Sequence, residues 1–152
     1  MDKGQKCLLT AFLDFSASIV GPGGAFDLGY GSGNAEEGVT VTMVEAKNTM
    51  TIGADGSVMH SMHAGKGGTI TVTLLKTSPT NAKLSAMYNA QSLSSATWGN
   101  NVIVMRNSAS NDVCTARSVA FQKIPDWQNA KDGGTVSWVF DAGLVDQLLG
   151  TF

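Results

Sequence analysis

Charge is scarce in this sequence. Asp, Glu, Lys and Arg make up only 14% of its 152 residues, against roughly 25% in an average soluble domain. Ten Lys and Arg stand against twelve Asp and Glu, a net charge of −2, and the cations are scattered from Lys3 to Lys131 without a run. Tight nucleic-acid binding relies on clustered cations, so it is disfavoured, while passive contact with nucleic acid stays open. Apolar runs are short. The longest stretches, such as Val102 to Met105, fall far below the roughly 20 residues that span a bilayer, and no secretory apolar region forms after Met1. No membrane insertion and a cytosolic chain are therefore expected.

Cysteine and histidine are equally thin, at two each. Cys7 and Cys114 could pair in principle, but two cysteines in such a chain are expected to be reduced and buried. His60 and His63 are three apart. On a strand that spacing sends them to opposite faces, so they cannot grip one metal ion together, and no further ligands cluster near them. No metal, cofactor or catalytic residue is expected. Gly65-Lys66-Gly67-Gly68 lacks the spacer and the following Ser or Thr of a phosphate loop and precedes a strand, so it reads as a flexible turn. Glu36-Glu37 reads as solvated loop charge. Trp138 lies within Val136-Ser137-Trp138-Val139-Phe140, where alternation makes it a core or interface residue.

What fills the chain instead is Gly, Ser, Thr and Asn in strict alternation with apolar residues. Val39, Val41 and Met43 share one face against Thr40 and Thr42; Ile70, Val72 and Leu74 share one against Thr69, Thr71 and Thr73. Period two with β-branched residues on both faces specifies half-buried strands and penalises a helix. Further strands are expected over Leu8–Ile19, Asn101–Asn107, Val113–Gln122 and Thr135–Asp141. Ser78-Pro79 followed by Leu84, Met87, Tyr88 and Gln91 predicts a helix over about Pro79–Leu93, with Ser78 as its cap. A helical turn at Asp126–Ala130 and a short apolar element at Leu144–Leu149 are also expected, while Gly21–Gly24 and Gly29–Gly33 read as loops.

Between the two Thr-bearing strands lies a candidate hairpin arm, about residues 44–66, with Asp55-Gly56 at its tip as a type I′ turn. Symmetrical pairing back from that tip sets Thr51 opposite His60 and Thr42 opposite Thr69, with a bulge or loop near Gly65–Gly68 breaking the ladder. A straight arm from Val39 to Gly53 would be about 50 Å long. A globule of this chain length is only about 38 Å across. The arm must project or bend, and a lone two-stranded ribbon is marginally stable, so it is expected to lie against another chain.

The succession Met50-Thr51-Ile52-Gly53-Ala54-Asp55-Gly56-Ser57-Val58-Met59-His60-Ser61, then Gly68-Thr69-Ile70-Thr71-Val72-Thr73-Leu74-Leu75, then Lys76-Thr77-Ser78-Pro79-Thr80-Asn81 resembles the tail tube proteins of contractile-tailed bacteriophages. The resemblance spans nearly the whole chain, taken as one domain, 1–152. It implies a mainly β fold: an antiparallel β-sandwich or barrel with one flanking α-helix and a long projecting β-hairpin. It also implies a structural protein of the virion, made in the host bacterial cytoplasm. Six copies would form a ring, and rings would stack into a tube that conducts DNA. The implied partners are copies of the chain itself, the tail sheath, the baseplate and the tail terminator, with transient passage of DNA. Neighbouring subunits would be engaged by the arm, through Met50, Ile52, Asp55, Gly56, Val58, Met59 and His60. A conduit for DNA should not hold phosphates, so Thr40, Thr42, Thr69, Thr71 and Thr73 are expected to face the lumen and Val39, Val41, Ile70 and Val72 the subunit core. Lys47 and Lys66 are expected to meet Glu36, Glu37 or Glu45 across an interface. Two other readings stay open: the tube of a related contractile injection machine, and a small β-sandwich binding module using Trp98, Trp127 or Tyr30.

Overall fold

A computed structural model describes residues 15–29, 34–108, 110–129, 131 and 133–150. Its elements are β1 (Phe15–Gly21), β2 (Gly24–Gly29), β3 (Asn34–Met43), β4 (Asn48–Ile52), β5 (Val58–Met62), β6 (Gly68–Leu75), α1 (Thr80–Gln91), β7 (Asn101–Asn107), β8 (Asp112–Lys123) and β9 (Thr135–Leu148). Seven strands form one antiparallel sheet in the order β2-β1-β7-β8-β9-β6-β3, curled into a half-barrel, and β4 and β5 form a separate two-stranded sheet. The alternating segments are strands, as expected. The Leu8–Ile19 expectation is met over the part that is described; Leu8 to Asp14 lie outside the described residues, as do Cys7 and Tyr30.

The sheet curls because its buried face changes register part way along. On β8 the buried residues step from Ala116 to Val119, and on β9 from Ala142 to Val145, three apart where a regular strand steps by two. At the step Ser118 adopts a left-handed φ of 52°. Gly143 lies against it, where a Cβ would come 3.1 Å from the Ser118 Cβ. One extra residue in each of two paired strands bends the sheet sharply, as bulges do. The bend divides the sheet into two walls, β3, β6 and the start of β9 on one side and the start of β8, β7, β1 and β2 on the other.

Between the walls lies the core. Ile19, Leu28, Ile70, Val72, Leu74, Ile103 and Phe140 are fully buried, with Val39 and Val41 packed against them. Helix α1 adds Leu84 and Met87. Tyr88, Trp98, Phe121, Trp138 and Phe140 form a connected aromatic group with ring centroids 4.8 to 6.3 Å apart, three of the contacts edge-on. Edge-on contacts place the positive ring edge against the negative ring face, a preference worth about 1 kcal/mol per pair beyond burial. Trp138 is a core residue, and its indole N–H donates to Asn81 Oδ1 at 3.1 Å.

The helix starts one residue later than expected and ends two earlier. Pro79 occupies the cap position with helical φ and ψ and makes no capping bond, while the Ser78 hydroxyl accepts from the Thr80 N–H at 3.4 Å. At the other end the buried Gln91 amide exchanges hydrogen bonds of 2.6 and 2.9 Å with Asn101 and donates to the Pro22 carbonyl. The Thr97 hydroxyl takes the Gln91 carbonyl, so the chain turns away there. Two other expectations are corrected. Over the described part of Asp126–Ala130 there is no helical turn, Ala130 lying outside the described residues; 124–129 form a loop held by Lys76 through Asn129 Oδ1 at 2.6 Å and the Gln128 carbonyl. Leu144 to Leu148 are no separate element, because β9 runs straight through them beside β8. Gly24–Gly29, partly read as loop, is a strand because the Pro22-Gly23 turn brings it back onto β1.

Candidate assembly surfaces

The hairpin grows out of the ladder between β3 and β6. Thr42 pairs with Thr69 and Met43 with Gly68, and the Val44 N–H donates to the Gly67 carbonyl. Beyond this the register slips by one. His63 N–H donates to the Lys47 carbonyl, and Asn48 pairs with Met62. The slip falls at Glu45-Ala46 against Ala64–Lys66, where a Cβ on Gly65 would collide with the Glu45 carboxylate.

The expected type I′ turn is replaced by a three-residue one. Gly53 and Ser57 pair, the Gly56 N–H donates to the Gly53 carbonyl, and Gly56 carries φ of 86°. This is a type I turn closed by a left-handed glycine. The Asp55 carboxylate accepts from the Ser57 N–H at 3.0 Å and from its hydroxyl at 2.7 Å, which holds the Asp55 pKa below its ordinary value. The consequence is that Met50, not Thr51, stands opposite His60.

That one-residue change gives the arm two unlike faces. Met50, Ile52, Val58, His60 and Met62 share one with Asn48; Thr49, Thr51, Met59 and Ser61 share the other. His60 bonds Asn48 at 3.1 Å on the first face and His63 bonds Thr49 at 2.7 Å on the second, so the two imidazoles diverge as the spacing predicts. Every residue from Thr42 to His60 is exposed. Ile52 retains 61% of its surface and Met62 80%. Among the described residues this apolar face has no partner.

On the β3–β6–β9 wall, the five threonines lie on the sheet face opposite Ile70, Val72 and Leu74. Thr40 pairs with Thr71 and Thr42 with Thr69; Thr69, Thr71 and Thr73 stand opposite Asp141, Val139 and Ser137 of β9. Thr73 is buried among these neighbours, its hydroxyl 3.4 Å from that of Ser137. Asp141 accepts from Gln122 at 3.2 Å. Among the described residues the one cation in register with this surface is Lys123, opposite Val139 at its margin.

The second wall is different on its outward face. Val20 pairs with Val102, Arg106 with Val113 and Val113 with Leu148. Val104 lies two residues from Val102 on the same face. Val20 and Leu148 are 54% and 68% exposed. No sequence reading singled out this strip, although Val102, Val104 and Val113 sit at the alternate positions of strands that were recognised.

Several remaining candidates fall elsewhere. Trp98 is half-buried in the aromatic group; Trp127 is 89% exposed beside a cleft of about 620 Å³ between α1 and the 124–129 loop. Lys66 lies 3.9 Å from Asp146 of its own chain. Cys114 is a free thiol whose pKa is raised by burial and by Asp146. Among the described residues no three His, Cys, Asp or Glu cluster as a metal site, and no helix is long and apolar enough to cross a membrane.

The family model of the bacteriophage PhiTE tail tube protein matches residues 9–150. The fold is similar to a chain of the PVC extracellular contractile injection system sheath-tube complex in the extended state. The TM-score is 0.59 at 10% identity, over 91% of this chain and 90% of that one. The PVC sheath/tube terminator gives 0.61 at 12% identity, over 95% and 99%. The tube terminating cap of the anti-feeding prophage gives 0.57 at 7%, over 99% and 97%. No curated protein matches in sequence.

Proposed function

The chain belongs to the bacteriophage PhiTE tail tube protein family, and from that premise we propose that it is a non-enzymatic building block of the virion tail. Six copies close into a ring, and rings stack into a hollow tube surrounded by a sheath. The tube is begun at a baseplate and closed by a terminator. Assembly takes place in the host bacterial cytoplasm, and DNA leaves through the lumen.

The observation that carries this reading is the arm: a hairpin with an apolar face, exposed at every residue from Thr42 to His60. Isolated two-stranded ribbons are marginal in water, and large exposed apolar faces mark interaction sites. Copies of the chain supply the missing cover. The arm engages them through Met50, Ile52, Val58, Met59 and His60, with Asp55 and Gly56 shaping its tip. Among the described strands the sheet ends at β2 and β3; open edges are an aggregation hazard in a monomer and are removed when sheets of adjacent copies join around a ring.

The threonine wall faces the lumen in this account. Thr40, Thr42, Thr69 and Thr71 point away from the subunit core with part of their surface open, while Thr73 on the same face is buried, and hydroxyls with Asp141 offer phosphates no clustered cations to bind. Negative-stain electron microscopy of the purified chain, with and without Met50 to His60, tests the assembly. The complete chain should give rings or tubes and the shortened one neither. A complete chain that stays solitary at every concentration would refute the proposal, and would favour the binding-module reading based on Trp127.

A further inference from the structure

Two apolar sheet faces lack a cover among the described residues. One is the arm face made by Met50, Ile52, Val58 and Met62. The other is the outward strip of Val20, Val102, Val104, Val113 and Leu148 on the second wall. Resting on the tube reading above, we infer that these faces cover one another between copies: the hairpin of one chain lies flat, sheet against sheet, on the valine strip of a neighbouring chain.

Three features carry the match. Both surfaces are pleated and open, which suits face-to-face packing about 10 Å apart. The strip runs as a diagonal of apolar side chains, with Val102, Val104 and Val113 half-buried and Val20 and Leu148 exposed. Ser18 and Thr115 flank Val104, and Arg106 and Asp146 stand in the neighbouring positions of the same face, where the aliphatic stem of Arg106 can remain in contact while its head stays in water. The arm also leaves the β3–β6 margin, at the far side of the sheet order from β1 and β7, and its exposure shows that it does not fold back onto its own strip. A contact between unlike patches on identical chains is heterologous, and repeats indefinitely or closes into a ring.

Photocrosslinking in assembled tubes tests the pairing. A benzoyl-phenylalanine at Val58, in isotopically heavy copies doped at low ratio into light wild-type chain, reports what lies against the arm. Tubes are verified by microscopy before illumination. The expected product joins the heavy arm to light peptides containing Val102, Val104 or Val113. Capture of the segment around Trp127, of the heavy copy's own body, or of nothing in intact tubes would overturn the pairing while leaving the tube reading in place. Failure of the wild-type chain to form tubes would remove both. As a second measurement, the pair Val104→Ser with Val113→Ser should raise the concentration needed for assembly by about tenfold or more. Thr51→Ala, on the arm's other face, should change it far less. Assembly at the wild-type concentration by a folded double variant would also overturn the pairing.

Discussion

The arm and the curled sheet are written in the same residue types and meet opposite fates. Ile70, Val72 and Leu74 on β6 are completely buried, while Ile52, Val58 and Met62 on the hairpin each keep more than half their surface. Alternation makes a strand in both places. Burial needs a second layer, which the body has in its opposing wall and helix and the arm lacks. A strand pattern therefore specifies which side chains share a face, and only the tertiary context decides whether that face is satisfied within the chain.

The comparison breaks most visibly under large-to-small substitution. Phe140→Ala in the body should lower stability by about 3–5 kcal/mol, because it empties a fully buried site in contact with Phe121. Ile52→Ser on the arm should leave chemical denaturation within about 0.5 kcal/mol of wild type, yet impair ring or tube formation. An Ile52→Ser chain that assembles normally would show that the arm's apolar face is not an interface.

Glycine substitutions sharpen the contrast. Gly21→Ala would drive a methyl into the Asn101 side chain and disturb its exchange of bonds with Gln91, for an expected loss of about 2 kcal/mol in global stability. Gly56→Ala meets no neighbouring atom and suffers only from its left-handed φ, about 1–2 kcal/mol confined to the turn. Its global denaturation midpoint should not move, whereas NMR shifts of the turn residues should. Replacing Asn101 with Ala leaves the buried Gln91 amide short of a partner, and should cost about 1–3 kcal/mol in the same denaturation measurement.

The smallest effect is one of pH. Asp55 has its pKa lowered by Ser57, so its contribution to the turn is complete above the ordinary carboxylate value of 3.8 and fades as the pH falls through the depressed folded value. The Ser57 amide resonance should follow that acid titration in wild type and lose the dependence in Asp55→Asn. Body amides such as Val72 should show no parallel change over the first part of the titration.

Much of this architecture was legible in the sequence because it depends on short-range pattern. Period two gave the strands their faces, Asp55-Gly56 located the hairpin tip, and Ser78-Pro79 with Leu84, Met87 and Gln91 located the helix. The type I′ expectation failed because a dipeptide does not reveal whether the turn holds two residues or three; Ser57 bonding to Asp55 selected the longer form and shifted the arm's faces by one. The curl was hidden for another reason. Ser118 and Gly143 are far apart in sequence, and their joint bulge exists only once β8 and β9 are paired. The valine strip was hidden with it, since alternate valines become a surface only after the order β1-β7-β8 is known.

Hydrogen exchange over residues 48–62, compared between dispersed and assembled protein, addresses the central claim most directly. The account predicts rapid exchange through the hairpin in the dispersed chain, while β6 and β7 are protected in both forms. Assembly should slow the hairpin strongly. Equal exchange of β4 and β5 in the two forms would mean that sister chains do not cover the arm, and would contradict the account.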